Sequence, residues 1–187
     1  EDVATRCGAT HRFLLEFVKP RRSPSVLSGL PGLDKRWWQF NRPSAALYAR
    51  IRAYEHCLAV PVVSKYILPT RRPSEWVFTN KFVVFDDSRP GLFGVLQSGF
   101  FQSWVRAFSG SRGETMSLSL KWAVNSFPFP EMMELPLLAE SGALETVILE
   151  TAAHLNGGYT DVYNSLHDAS ASGAEEREMR RLHVAID

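Results

Sequence analysis

Apolar and polar positions alternate on three different patterns along the chain. In residues 11–18 the apolar side chains are spaced as on a short helix. The Lys19-Pro20 step is expected to break it, because proline lacks a backbone donor and restricts its predecessor. Residues 25–32 carry turn chemistry, and residues 1–36 as a whole read as an irregular linking segment. Trp37, Trp38 and Phe40 then form an aromatic cluster. A helix is expected from Pro43-Ser44 to about His56, with Leu47, Ile51 and Tyr54 on one stripe and Arg50 and Arg52 off it.

From Cys57 the period shortens. Runs at 58–63, 66–68, 76–78 and 82–85 are rich in β-branched and aromatic residues, punctuated by Pro69, Pro73, Asp86-Asp87 and Pro90-Gly91. They read as an antiparallel meander in which Pro61 pushes its strand towards an edge or a bulge. A helix follows from Ser98 to Phe108, with Phe100, Phe101, Trp104, Val105 and Phe108 as its buried face and Gly110 suited to a left-handed cap. Ser109 opens a polar loop. Residues 118–122 alternate like a strand, and Phe127-Pro128-Phe129-Pro130 is an extended apolar anchor. Beyond Pro130 the pattern is helical: about 144–154 with Leu144, Val147, Ile148 and Thr151 on one face, 160–166 after the Gly157-Gly158 break, and from about Glu175 with Met179, Leu182 and Ile186 on one stripe. The expected fold class is α+β: a small, mainly antiparallel sheet with flanking helices and an acidic C-terminal helical segment.

Composition narrows the class without naming a function. The 187 residues are 45% hydrophobic and 22% charged, which suits one ordinary domain and excludes wholesale disorder. No apolar run approaches the roughly 20 residues of a membrane helix. Two cysteines, Cys7 and Cys57, support neither a zinc site nor a disulfide framework, and point to a reduced interior compartment. The chain begins Glu1-Asp2-Val3-Ala4, with no initiator methionine and no signal peptide, and is expected to be a fragment.

Charge changes the picture more. The net charge of +1 hides 18 basic against 9 acidic residues in 1–130, and 3 basic against 11 acidic in 131–187. Such asymmetry suggests a basic working part and an acidic accessory part. The excess in the first part suits a polyanion-binding surface and is equally compatible with a merely soluble domain.

Catalytic signatures are missing: no P-loop, no Gly-x-Gly-x-x-Gly, no His-Glu-x-x-His, no Cys-x-x-Cys and no Gly-x-Ser-x-Gly. The histidines at 11, 56, 154, 167 and 183 have no ligand spacing and read as surface or capping residues. Cys57 reads as a buried small hydrophobe and Asp86-Asp87 as turn residues. Three features fit nucleic-acid contact, each with a plainer reading beside it. Ser64-Lys65 is a phosphate-contacting pair or a solvated hairpin. Arg71-Arg72 lies in a Pro-flanked loop, as a phosphate clamp or a solvated face. The segment from Ser109 to Lys121 carries Arg112, Glu114, Ser117 and Lys121, and is a base-reading loop or a solvated connector. Arg and Lys read guanine in the major groove, Glu accepts from the cytosine amine, and Ser serves either.

An ordered set of segments resembles the target-recognition domain of MmeI-like enzymes, the type IIL restriction–modification proteins that methylate adenine at N6. The set is Val62-Val63-Ser64-Lys65, then Lys81-Phe82-Val83-Val84-Phe85, then the stretch 92–98 with Trp104 six residues beyond Ser98, then Asn125-Ser126 and the Phe127–Pro130 anchor. Upstream, residues 17–21 and Trp37-Trp38 are similar to the family's linking region. Downstream, residues 163–168 and 179–183 are similar to its C-terminal helical segment. The resemblance implies domains at 1–36 (linking), 37–130 (DNA target recognition) and 131–187 (acidic helices). It implies base reading by Arg112, Glu114, Ser117 and Lys121, with backbone positioning by Ser64 and Lys65; Arg71 and Arg72 complete the expected DNA-binding set. Where family members carry an Arg-Tyr-Thr-Pro-like segment before the anchor, this chain has residues 118–121, Leu-Ser-Leu-Lys.

What the resemblance implies beyond this chain is a bacterial, cytoplasmic parent. Its methyltransferase domain would use S-adenosylmethionine, with Mg²⁺ where a nuclease is fused, while the chain itself holds no cofactor, no metal and no catalytic residue. The expected partners are double-stranded DNA and the parent's methyltransferase domain, with no membrane. A different class of reading makes the chain a protein-interaction module that docks through exposed Trp37, Trp38, Phe127 and Phe129.

Overall fold

The computed structural model describes residues 6–22, 37, 44–130 and 137–187. The turn expected at 25–32 and the aromatics Trp38 and Phe40 lie outside these residues. The chain forms two units, Glu1–Ala46 and Leu47–Asp187.

In the first unit, α1 (Gly8–Phe13) continues through a π-helical turn, Leu14–Val18, into a 3₁₀ turn, Lys19–Arg21. The helical path therefore passes the expected break. Pro20 sits in the first turn of the 3₁₀ segment, where no backbone donor is needed, and the chain becomes extended only at Arg22. The Phe13 and Phe17 rings pack in a tilted arrangement, 4.9 Å between centroids. Trp37 is buried, with the Lys19 ammonium 5.7 Å from its ring centroid.

Helix α2 (Ala45–Ile51) ends a full turn before the expected His56, because His56 is already the first residue of a strand. Its Tyr48 hydroxyl is fixed by the backbone of Phe78: it accepts from the Phe78 N–H at 2.9 Å. Strand β1 (His56–Pro61) follows, with Cys57, Leu58, Ala59 and Val60 all buried. Next come β2 (Val63–Ser64), β3 (Thr70–Pro73) and β4 (Phe82–Phe85). The first sheet has the order β3-β1-β4, antiparallel throughout.

This is not the expected meander, since β1 is central and pairs with both others. Nor does Pro61 make its strand an edge. It is the last residue of β1, beyond the stretch 56–59 that β3 pairs, so its missing donor breaks no ladder on that side. The apolar run 76–78 is not a strand. Trp76 and Val77 are exposed after a turn, and Phe78 serves the Tyr48 contact. Residues 66–68 form no strand either, although Ile67 and Leu68 are buried.

Helix α3 (Pro90–Gln97) opens on proline, whose fixed φ suits a first turn. Ser98 hinges it to α4 (Gly99–Phe108): its hydroxyl accepts from the Phe101 N–H at 3.1 Å and donates to the Val95 carbonyl at 2.8 Å. Only Phe101 and Val105 of the expected α4 face are fully buried; Phe100 and Phe108 are exposed. Strands β5 (Gly110–Arg112) and β6 (Thr115–Ser117) form a hairpin that pairs with β2, giving a second antiparallel sheet of order β2-β6-β5. Residues 118–122 are not a strand. Leu120–Val124 is a π-helical turn whose first free N–H, that of Trp122, is accepted by the Ser119 hydroxyl at 3.1 Å.

The C-terminal helices are α5 (Leu137–His154), α6 (Tyr159–His167) and α7 (Ala174–Ile186). Residues on both sides of Pro130 share one core: Leu58, Phe93, Phe101 and Val105 cluster with Leu144, Ile148, Met179 and Leu182. Helix α5 lies between α3 and α7. Fully burying an aromatic such as Phe101 contributes about 1.5–3 kcal/mol, and truncating it to alanine would cost about 3–5 kcal/mol once the cavity is included. The architecture is α+β, two small antiparallel sheets among helices.

Candidate nucleic-acid interface

The sequence-derived site residues divide between the two sheets. Arg71 and Arg72 are not in a loop but on β3, in the first sheet. The Arg71 guanidinium is closed in. Its Nε and Nη2 both lie 2.9 Å from the Glu145 carboxylate on α5, and Nη1 donates to the Ser88 carbonyl at 2.5 Å. With side chains only 25% and 15% exposed, Arg71 and Glu145 form a bidentate, mostly buried pair that joins sheet to helix. Arg72 is half-buried and lies over the Trp76 ring at 5.9 Å. Tyr159, beside this pair, has its hydroxyl pKa pushed up to about 12 by burial, with the Glu145 carboxylate adding to it.

The second sheet gathers most of the rest. Register places Val63 opposite Ser117, Ser64 opposite Met116, and Arg112 opposite Thr115. Alternation then sorts the side chains. Arg112, Thr115 and Ser117 share one face of the hairpin, while Ser111, Met116 and Ser64 share the other, where Met116 is buried. The turn is made by Gly113 and Glu114. Gly113 has φ +60°, and Glu114 is not among the described positive-φ residues, which is the pattern of a type II′ turn with glycine first. This is the glycine whose freedom the fold uses. Gly110, the expected left-handed cap, is the first residue of β5 and has no positive φ.

Arg112, Glu114 and Ser117 are exposed, and the Arg112 guanidinium has no hydrogen bond or ion pair among the described residues. Lys121 stands apart, on the π-helical turn, with its ammonium 4.4 Å from the Trp122 ring centroid. Trp122 is 62% exposed.

Lys65, just past β2, anchors the root of the hairpin. Its ammonium donates to Asn164 Oδ1 on α6 at 2.9 Å and sits 3.9 Å from the Glu114 carboxylate. Tyr66 donates to the same Asn164 oxygen at 3.2 Å and stacks on His167 at 5.4 Å. Lys65, Tyr66, Glu114 and His167 line an open cleft of about 530 Å³ together with Arg106 of α4. Behind it, the Tyr163 hydroxyl lies 2.6 Å from Gln97 Oε1 and 3.0 Å from His183 Nε2. Burial lowers the His183 pKa, partly offset by the Asp187 carboxylate. Burial also raises the Tyr163 pKa.

Arg106, Tyr66, Asn164 and His167 were not expected in the site. Arg106 carries one faint signal: it is the cation on the polar side of an otherwise aromatic helix. Asn164 and His167 carry none, because α6 reaches the cleft only through tertiary packing. Other expectations fare differently. Asp86 pairs with Arg50 at 2.9 Å, and Asp87 accepts from the Arg89 guanidinium and backbone, as turn residues do. Cys57 is buried and its thiol pKa is pushed up by that burial. The docking aromatics are corrected: Trp37 and Phe127 are buried, Phe129 is half-buried against Phe127, and Trp38 lies outside the described residues. The exposed aromatics of this region are instead Phe100, Phe108 and Trp122. Among the described residues no cluster of His, Cys, Asp or Glu is arranged to hold a metal ion, and no helix is long and apolar enough to cross a membrane.

No protein-family model matches the chain, and no curated protein sequence does. Its fold is similar to part of a solved structure of the Type IIL restriction–modification enzyme MmeI in complex with DNA. The two share 18% identity at a TM-score of 0.58, over 90% of this chain and 21% of that one. The chain thus spans about a fifth of the length of that enzyme, and the likeness is one of fold.

Proposed function

We propose that this chain is a sequence-specific double-stranded DNA recognition module, the specificity-reading part of a longer DNA adenine-N6 methyltransferase. The observation that carries the reading is the β5–β6 hairpin. It presents Arg112, Glu114 and Ser117 to solvent: Glu114 lines a cleft that also holds Lys65 and Arg106, and Arg112 and Ser117 lie on the hairpin's opposite face. A two-stranded ribbon fits the major groove, and these residue types address guanine, the cytosine amine and either partner. Lys65 and Ser64, at the ribbon's root, suit backbone positioning. Lys121 suits a flanking contact, and Arg72 a peripheral one. Arg71 leaves the interface in this reading, since Glu145 already neutralises it.

The likeness to an enzyme solved on DNA supports the assignment at the level of fold. In the parent, S-adenosylmethionine would be held by the methyltransferase domain, with Mg²⁺ where a nuclease is fused, and this chain would add no catalytic group.

The test is selection from a pool of randomised duplexes, followed by sequencing of what the chain retains. A defined base preference is expected, and it should change when Arg112→Ala and Glu114→Ala are introduced together. Retention without any preference, or the same preference in the double variant, would overturn the reading.

A further inference from the structure

Two open clefts meet at a single wall. The first, about 530 Å³, lies under the hairpin; the second, about 520 Å³, runs between α4, α6 and α7. Both are lined by Tyr66, Arg106 and His167. Arg106 is exposed and has no hydrogen bond or ion pair among the described residues, which is unusual beside so many carboxylate-paired arginines. Lys65 is held towards this wall by Asn164, and His167 is fixed against the Tyr66 ring at an interplanar angle of 27°. Hydroxyls of Ser109 and Ser111 complete the rim of the first cleft.

The wall is cationic without a matching anion. Glu114 is the one carboxylate lining the first cleft among the described residues. Its side chain is 87% exposed and 3.9 Å from Lys65, so solvent weakens that attraction. Asp187, in the second cleft, is bound to the Gly99 N–H at 2.5 Å. Asp168, next to His167 in sequence, is occupied by Ser170. Arg180 faces His167 from α7, but its guanidinium is spent on the carbonyls of Leu166, Ala171 and Asp168, so it adds field without being free to bind. His183, also on α7, is bonded to Tyr163.

We propose that Lys65, Arg106 and His167 form a notch for a single phosphodiester group, which seats the duplex backbone while the hairpin enters the groove. The proposal rests on the DNA-recognition reading above and adds to it a specific phosphate contact and a proton. A diester oxygen fits the vacancy in charge: two permanent cations and an imidazole converge on one wall, with hydroxyl donors at the rim.

The proton follows from the same geometry. Burial lowers the His167 pKa, and Arg106, Lys65 and Arg180 lower it further by like-charge repulsion. An anion seated between them reverses that repulsion and favours the imidazolium, so binding takes up a proton at His167. Affinity therefore rises as pH falls through the histidine range, and His167→Gln flattens that dependence.

The experiment uses the full chain with isotopically labelled histidines. Its imidazole resonances are followed against pH, alone, with a randomised duplex pool, and with inorganic phosphate. With duplex, the His167 titration should move to higher pH. Arg106→Ala should weaken duplex binding about tenfold and reduce the slope of log K against log salt by about 0.9, equally for all sequences. Because Arg106 is exposed and unbonded, its thermal midpoint should be unchanged, and Arg106→Lys should restore most of the slope.

Three results would overturn the notch. One is duplex binding whose salt slope survives Arg106→Ala with His167 unmoved, which leaves the recognition reading standing. Another is a His167 response to inorganic phosphate that duplex fails to produce. The third is no duplex binding at all, which removes the recognition reading together with the notch.

Discussion

The two small sheets are alike in size and antiparallel pairing, yet they use their arginines in opposite ways. On the first, Arg71 is folded against Glu145 and Ser88, and the interior residues of the neighbouring strand β1 are buried. On the second, Arg112 is free among the described residues and its strand is exposed throughout. A guanidinium that closes onto a carboxylate across 74 residues of chain is part of the scaffold. One left without a partner on a hairpin next to a cationic cleft is available to a ligand. The lesson is that a basic dipeptide has no fixed meaning until its partner is known.

The largest effect expected from this contrast is on stability. Arg71→Ala strands Glu145 in a mostly buried position and should cost about 3 kcal/mol, lowering the thermal midpoint by roughly 6–12 °C for a chain of this size. The double replacement Arg71→Met with Glu145→Leu should recover most of that loss, because an apolar pair of similar volume carries no desolvation cost. If Arg71→Ala melted like the parent chain but bound duplex poorly, the roles of the two sheets would be exchanged.

Next in size is recognition. Arg112→Ala with Glu114→Ala should leave stability within about 0.5 kcal/mol, as exposed substitutions do, while reducing discrimination between preferred and mismatched duplexes by about 1–3 kcal/mol per base pair read. A thermal melt and competition binding separate the two effects.

A smaller effect sharpens the hairpin itself. Gly113→Ala forces a β-carbon onto a φ of +60° and should cost about 1–2 kcal/mol, even though open space surrounds it. Gly110→Ala, with equal space and no positive φ, should be neutral or stabilising by up to about 1 kcal/mol. Equal costs at the two positions would mean the turn is not where register places it.

The gentlest effect is a slope with pH. His183 is half-buried with its pKa lowered by desolvation, so the unfolded chain binds the proton first, starting near the ordinary value of 6.5. Its contribution to stability is fully present above that pH and falls away as pH drops towards the folded value. Denaturant unfolding at a series of pH values should show this decline, and His183→Gln should flatten it. The exposed hairpin carries no histidine and should add nothing to the slope.

Much of the scaffold was legible in the residues. The helix that starts at Ser98, the Met179–Leu182–Ile186 stripe and the β-branched run of β4 agree with their final surroundings, although only Phe101 and Val105 of the expected α4 face are fully buried. Legibility failed where a local pattern had two physical outcomes. Residues 118–122 alternate like a strand, but Ser119 accepts the Trp122 N–H and turns the chain into a π-helical coil with Leu120 and Trp122 exposed. Trp76 and Val77 look like strand residues and are exposed. Thr70–Pro73 looks like a loop and is a strand paired to β1, and the carboxylate that neutralises Arg71 there arrives from α5. In the candidate site, Arg112, Glu114, Ser117 and Lys65 were readable as chemistry, whereas their separation from Arg71 was not. Arg106 and His167 enter only through the packing of α4 and α6 around Tyr66.

The contrast between the sheets is tested most directly by mapping where a duplex touches the chain, from backbone amide shifts recorded during titration with a randomised duplex pool. Perturbations are expected at residues 64–66, 106, 109–117 and 121 with the adjoining end of α6, and on β3 no more than a small one at Arg72. Perturbations centred on Thr70–Pro73, with the hairpin silent, would contradict it.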